Sequence, residues 1–282
     1  MNQLFYLIYG AVQGLTEFLP ISSSGHLVIA QTILGQNLQG IALEITLHLA
    51  TLLAVIVFLR KRIWQIFGGI FSRGEKSRIA WRALLAVIVA TIPAGLVGIF
   101  FGNFLESTFE NIQVVGICLL LTSAMVISIP FLPKKNYTIE KFPWLGIIVV
   151  GIFQAVAILP GVSRAGATIF AGTLTGLNRK ESASFSFIIS IPAILGASVL
   201  ELPKVISGQE SAPAMGLALS AVCAIIFGLL ALFLLYKTVQ KGSFLSFGIY
   251  TLILSILILT GFILWLNGIL HSLYPEIFLL SG

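Results

Sequence analysis

The chain has 282 residues, of which 58% are hydrophobic and only 9% charged, with a mean hydropathy of +1.06. A soluble domain carries roughly a quarter of its residues charged and a bit under half apolar. Soluble, secreted, disordered and nucleic-acid-binding classes are therefore excluded, and the net charge of +6 rides on an apolar majority. The apolar stretches are continuous and of helical length, which points to a polytopic helical membrane protein rather than a membrane β-barrel. No cleaved signal peptide is expected, because the first basic residue is Arg60. Cys118 and Cys223 lie in apolar runs away from any CxxC or histidine cluster and read as buried small hydrophobes.

The first apolar stretch, 3–35, is interrupted by Leu19-Pro20-Ile21-Ser22-Ser23-Ser24-Gly25-His26. Each piece is too short to cross about 30 Å of hydrocarbon, so the spacing predicts a re-entrant helical hairpin. Spans follow at 43–59, 83–101 and 112–130. A second interrupted stretch, 144–177, turns at Leu159-Pro160-Gly161-Val162-Ser163-Arg164-Ala165-Gly166 and predicts a second hairpin. Three more spans follow, at 184–200, 213–236 and 244–266. The segment from Arg60 to Arg82 holds seven basic residues, and the positive-inside rule makes it cytoplasmic. Counting crossings from there places Lys134, Lys135, Lys141, Arg179, Lys180, Lys237 and Lys241 inside as well, provided the second hairpin returns to the face it left. Fourteen of the sixteen basic residues are then cytoplasmic, while Lys204, Glu106, Glu110, Glu201, Glu210, Glu276 and both termini are external.

Aligning Gln13 with Gln154 also aligns Gly25 with Gly166, and each hairpin precedes three spans. The expected fold is an all-α polytopic membrane protein with six transmembrane helices plus two re-entrant helical hairpins in an inverted-topology repeat. It forms a single membrane domain over 1–282, with halves at about 1–131 and 142–270. Such repeats place their site near the midplane, where broken helices meet.

After each turn a helix starts, and its first amides have no intrahelical acceptor. Ser22, Ser23, Ser24 and Ser163 are residue types that cap such starts, and two helix N-termini aimed at one place attract an anion. Arg164 adds a permanent charge and a planar fork suited to phosphate. Gln13 and Glu17 share a helix face before the first turn. A carboxylate beside an anion needs a reason, either a divalent cation bridging it to phosphate or a salt bridge to Arg164. His26, one turn beyond the serines, supplies an imidazole for nucleophilic or proton-transfer chemistry. Glu44 and His48, four apart, either support the site or pair with each other. Thr168 either donates to phosphate or bonds its own helix. His271 reads as interfacial.

The run Gln13-Gly-Leu-Thr-Glu17-Phe-Leu-Pro-Ile-Ser-Ser-Ser-Gly-His26 resembles the E/Q-xxx-E plus SSxGH element of the undecaprenyl-diphosphatases, or bacitracin-resistance proteins. Pro160-Gly-Val-Ser-Arg164-Ala-Gly-Ala-Thr168 resembles their PGxSRSxxT signature, and the likeness spans essentially the whole chain. It departs at Gln13, where the family's first acidic position is filled by an amide, and at Ala165, where serine is common. The resemblance implies a bacterial inner-membrane phosphatase that converts undecaprenyl diphosphate to the monophosphate, recycling the carrier lipid for cell-wall polymers and conferring bacitracin resistance. It implies a divalent cation, Mg2+ or Ca2+, and a site open to the external side. Its partners are the polyprenyl diphosphate and the bilayer and not nucleic acid, with a homodimer left open. On this resemblance Arg164, Ser22, Ser24, Ser163, Thr168 and the helix N-termini hold the diphosphate, and Glu17 with Gln13 holds the metal or activates the nucleophile. Ser23 is the expected nucleophile and His26 the proton donor or orienter, with attack by His26 or by water still open. A polyprenyl-phosphate transporter or flippase using the same anion site is the alternative. An acid-phosphatase-like lipid phosphatase is disfavoured, since the chain has no aspartate and only His271 beyond Arg164.

Overall fold

A computed structural model describes residues 3–34, 40–109, 111–133, 136–206 and 213–266. Among these the chain folds as helices: α1 (Gln3–Phe18), α2 (Ser23–Leu34), α3 (Ile41–Phe58), α4 (Arg60–Ile70), α5 (Glu75–Phe109), α6 (Ile112–Ser128), α7 (Trp144–Val156), α8 (Arg164–Thr175), α9 (Arg179–Ile206), α10 (Ala214–Lys241) and α11 (Leu245–Leu266). Five stretches, Ile41–Phe58, Glu75–Gly102, Ile112–Phe131, Arg179–Ile206 and Ala214–Lys241, are long and apolar enough to cross a membrane. The protein is an all-helical, polytopic membrane protein. The expected sixth span, 244–266, falls on α11, whose apolar stretch Leu245–Gly261 is shorter than the other five. Lys134, Lys135, Glu110, Glu210, His271 and Glu276 lie outside the described residues, as does the side chain of Glu106.

The helices outrun the apolar windows read from sequence. Residues 60–82, which connect the expected spans 43–59 and 83–101, are mostly helix, because Arg, Lys and Glu are good helix formers once apolar neighbours supply packing. Likewise α9 begins at Arg179, five residues before its apolar run, because the Asn178 side chain accepts from the Glu181 amide at 2.9 Å and caps the start.

Packing exchanges elements between the two expected halves. α1 lies along α10 and α7 along α5, while α3 pairs with α9 and α6 with α11. The α1–α10 contact needs glycine: a Cβ on Gly10 would sit 2.3 Å from the Ser220 carbonyl oxygen, and one on Gly14 would sit 2.6 Å from that of Ala224. This is the small-residue spacing that lets membrane helices approach backbone to backbone. Hydroxyls tie α6 to α11, Ser123 donating to the Gly248 carbonyl at 2.9 Å and Ser255 to that of Gly116 at 2.8 Å.

The connections rich in basic residues are clamped together. Arg62 pairs with Glu140 at 2.7 Å and Glu181 at 3.6 Å, Arg82 donates to the carbonyls of Glu140 and Phe142, and Arg179 donates to that of Pro130 at 2.8 Å. Burial pushes the Glu140 carboxyl up, but its own amide, the Thr138 hydroxyl and the Arg62 guanidinium together hold it below its ordinary value.

Candidate active site

Two tight turns build the site. In the first, Phe18 ends α1 and packs edge-on against Phe187 of α9, ring centroids 5.8 Å apart. Leu19 and Ile21 join the same buried cluster, so the apolar side of the turn fixes its path. Ser22 then takes a left-handed φ of 71°, rare for a residue with a Cβ. Its side chain accepts from the Gly25 amide at 3.3 Å and its carbonyl from the His26 amide at 3.2 Å, so α2 starts on a Ser22 cap.

The second turn repeats the device. Gly161 has φ 93°, and a Cβ there would sit 2.5 Å from the Val115 carbonyl oxygen, so both conformation and space require glycine. Ser163 caps α8, its hydroxyl accepting from the Gly166 amide at 3.1 Å and its carbonyl from that of Ala167 at 2.8 Å. Ser22 and Ser163 are 141 residues apart, the same offset that separates Gln13 from Gln154 and Gly25 from Gly166.

The turns meet. The Gly161 amide donates to Ser24 Oγ at 3.3 Å, and the space beside the Gly25 backbone is filled by Gly161 Cα. Across this junction Arg164 Nη2 donates to Glu17 Oε1. Glu17 Oε2 accepts from Ser23 Oγ at 2.6 Å and from Gln13 Nε2 at 3.1 Å. Glu17 is 7% exposed and Gln13 is fully buried. Two polar atoms here are buried without a partner: Arg164 Nη1 and Gln13 Oε1. The capping bonds start at Gly25 and Gly166, so the amides of Ser23, Ser24, Arg164 and Ala165 precede the first intrahelical acceptors. Together the arrangement offers donors of positive character around one carboxylate and one hydroxyl.

His26 donates through Nδ1 to the Ser22 carbonyl at 2.7 Å, and its Nε2 lies 2.8 Å from the Tyr250 hydroxyl, not from Ser23. Thr168 donates to the Arg164 carbonyl at 2.7 Å and lies 2.6 Å from Ser186 Oγ. Its one hydroxyl proton is thus spent within α8, and Ser186 supplies the proton of the second bond. Of Glu44 and His48, His48 reaches the site, Gln13 Nε2 donating to its Nδ1 at 3.3 Å, while its Nε2 lies 4.0 Å from Glu44, beyond hydrogen-bond distance.

Sequence reading missed three contributors. Thr122 of α6 donates to the Gly161 carbonyl at 2.9 Å and accepts from the Ser163 amide at 2.9 Å, clamping the second turn. Tyr250 of α11 holds the far side of His26, and Ser186 backs Thr168. Thr122 and Ser186 sit in apolar spans where short hydroxyl side chains usually bond their own helix, and Tyr250 sits in a third such span, so no local pattern marked them.

The sequence profile of the bacitracin resistance protein BacA family matches residues 6–257. The chain belongs to this family. Among its relatives are proteins named undecaprenyl-diphosphatase from Methanococcus vannielii, 38% identical, and Methanococcus maripaludis, 40% identical, each alignment covering 90% of this chain and 98% of the relative. A third, from Bacteroides thetaiotaomicron, is 37% identical over 89% of this chain and 95% of its own length.

A divalent cation, expected from the resemblance, would find two oxygen donors here, Glu17 and Gln13 Oε1. Gln13 Oε1 is a hard oxygen with no other partner, next to a carboxylate. Among the described residues no group of three or more His, Cys, Asp or Glu is gathered for a metal. The donor set therefore suits an ion that takes most of its ligands from substrate phosphates and water.

Proposed function

We propose that the protein hydrolyses undecaprenyl diphosphate to undecaprenyl phosphate and phosphate at the external side of the bacterial inner membrane. It thereby recycles the carrier lipid for cell-wall polymers and confers bacitracin resistance. The observation that carries this reading is the buried, unpartnered Arg164 Nη1, at the point where two capped helix starts, Glu17 and Ser23 converge. An orphaned guanidinium nitrogen costs about 1–3 kcal/mol or more, and a phosphate oxygen would satisfy it.

In this reading Arg164, the Ser22–Ser24 segment, Ser163 and the first-turn amides of α2 and α8 hold the diphosphate. Thr168 serves by fixing the first turn of α8 on α9 rather than by donating to phosphate. Ser23 Oγ attacks the terminal phosphorus as its proton passes to Glu17 Oε2, 2.6 Å away. The P–O–P bond breaks, lipid monophosphate leaves, and water then releases phosphate from the serine. His26, bonded away from Ser23, orients the first turn, or protonates the leaving oxygen once its Nε2 has itself taken up a proton. A bound Mg2+ or Ca2+ would neutralise diphosphate charge, held by Glu17 and Gln13 Oε1. Positioning and electrostatics supply most of the rate, as phosphoryl transfer requires little covalent chemistry.

The proposed topology has six spans, two re-entrant hairpins inserted from opposite leaflets as an inverted repeat, and external termini. The shared 141-residue offset of the two caps, the exchange of α1 and α7 between halves, and the charge distribution support it. The partners are the lipid diphosphate and the bilayer, and the homodimer is the assembly state to measure in detergent.

The second reading is a polyprenyl-phosphate carrier, favoured by two broken helices whose polar turns meet, an arrangement that carriers use for anionic substrates. Glu17→Gln separates the two. Phosphate release from farnesyl diphosphate should be lost while substrate binding largely persists, and wild-type hydrolysis would end the catalytic role of Glu17.

A further inference from the structure

We infer that Tyr250 is a positioning residue for His26, fixing its tautomer and holding its Nε2 as a poised proton acceptor; this rests on the site reading above. A carbonyl oxygen can only accept, so the 2.7 Å contact to Ser22 places the imidazole proton on Nδ1. Nε2 then carries the lone pair, and the phenol 2.8 Å away donates to it. The two rings lie nearly parallel, 16° apart with centroids at 5.6 Å, so the phenol also sets the plane of the imidazole.

Tyr250 is itself held in register. Ser123 binds the Gly248 carbonyl, two residues before it, and Ser255 binds that of Gly116, five residues after it. A chain thus runs from α6 through α11 and His26 to the carbonyl of Ser22, the left-handed residue that starts α2. The phenol is neutral, so it adds no charge against a diphosphate. Its oxygen can accept as well as donate, so it can follow His26 when Nε2 takes a proton.

The test uses Tyr250→Phe and His26→Asn in the full-length protein, with farnesyl diphosphate hydrolysis, thermal unfolding and ¹⁵N-histidine spectra. The chain has three histidines, and His26→Asn assigns the signal by subtraction. Tyr250→Phe should lower kcat by roughly three- to tenfold, the loss of one hydrogen bond, with KM and thermal midpoint unchanged. Wild-type His26 should show a protonated Nδ1, and its Nε2 signal should move towards a free lone pair in Tyr250→Phe. Wild-type kcat with an unmoved Nε2 signal would overturn the inference. So would a loss of kcat accompanied by a lower thermal midpoint, the mark of a merely structural side chain. If His26→Asn turns over at the wild-type rate, the site reading itself loses His26. A crippled His26→Asn beside a fully active Tyr250→Phe defeats this inference alone.

Discussion

Arg164→Lys isolates the shape of the cation from its charge. Arg164 spends Nη2 on Glu17 and leaves Nη1 buried without a partner, so one fork can hold the carboxylate and a phosphate oxygen together. Lysine keeps the charge, and so the ion pair that prevents Glu17 from being stranded, but its compact ammonium cannot reproduce the planar fork. Removing either partner outright would leave a buried charge unpaired, at about 3–5 kcal/mol; the lysine variant should avoid that and fold. What it loses is one charge-assisted hydrogen bond, about 1.5–3 kcal/mol. At about 1.4 kcal/mol per decade, kcat/KM should fall roughly 10- to 150-fold. The assay is phosphate release from farnesyl diphosphate by purified protein, with the thermal midpoint as a folding control. Activity within about threefold of wild type, from a folded variant, would refute the two-pronged role of Arg164.

Excess chelator should abolish turnover and Mg2+ or Ca2+ restore it; full activity in chelator would leave Glu17 as base or ion-pair partner alone. Thr122→Val keeps the volume but leaves the Gly161 carbonyl and Ser163 amide without their clamp, and should cost about 1–3 kcal/mol, seen as a lower thermal midpoint and reduced kcat. An unaltered midpoint and kcat would show that the second turn holds without it. Glu140 is held below its ordinary value of 4.5 in the fold. Its pairing therefore stabilises the protein above that pH and is lost as pH falls through the lowered value. The stability gap between wild type and Arg62→Ala should be constant at neutral pH and close on acidification below 4.5; an identical gap at both extremes would exclude this pair as the source.

Most of the helical architecture was legible because hydrocarbon allows few solutions: apolar runs of sufficient length become helices, and polar turns inside short runs must be buried in protein. The helix breaks after Phe18 and Val156 were legible for that reason, and so were Glu17 and Arg164, charged residues with no inexpensive place in apolar surroundings. Helix ends were not, since α4, the start of α5 and the start of α9 are built from charged residues that hydropathy scores as loop. The choice between cation bridge and salt bridge for Glu17 was undecidable from spacing, because it turns on which side chain lies across the junction. Thr168 shows the same limit, its donor being committed to the Arg164 carbonyl by helix geometry alone. Thr122 and Tyr250 escaped because their partners are 39 or more residues away, a distance at which no motif signals contact.

The claim on which the rest depends is that the two turns form one site, so the decisive measurement is a double-mutant cycle across them. Glu17→Gln, Arg164→Ala and the double variant are compared for phosphate release from farnesyl diphosphate. Partners in contact couple by about 0.5–3 kcal/mol, so the double variant should keep roughly 2- to 150-fold more activity than the product of the two single losses allows. If the two losses instead multiply, as they do for independent positions, Glu17 and Arg164 serve separate ends and the shared site is wrong.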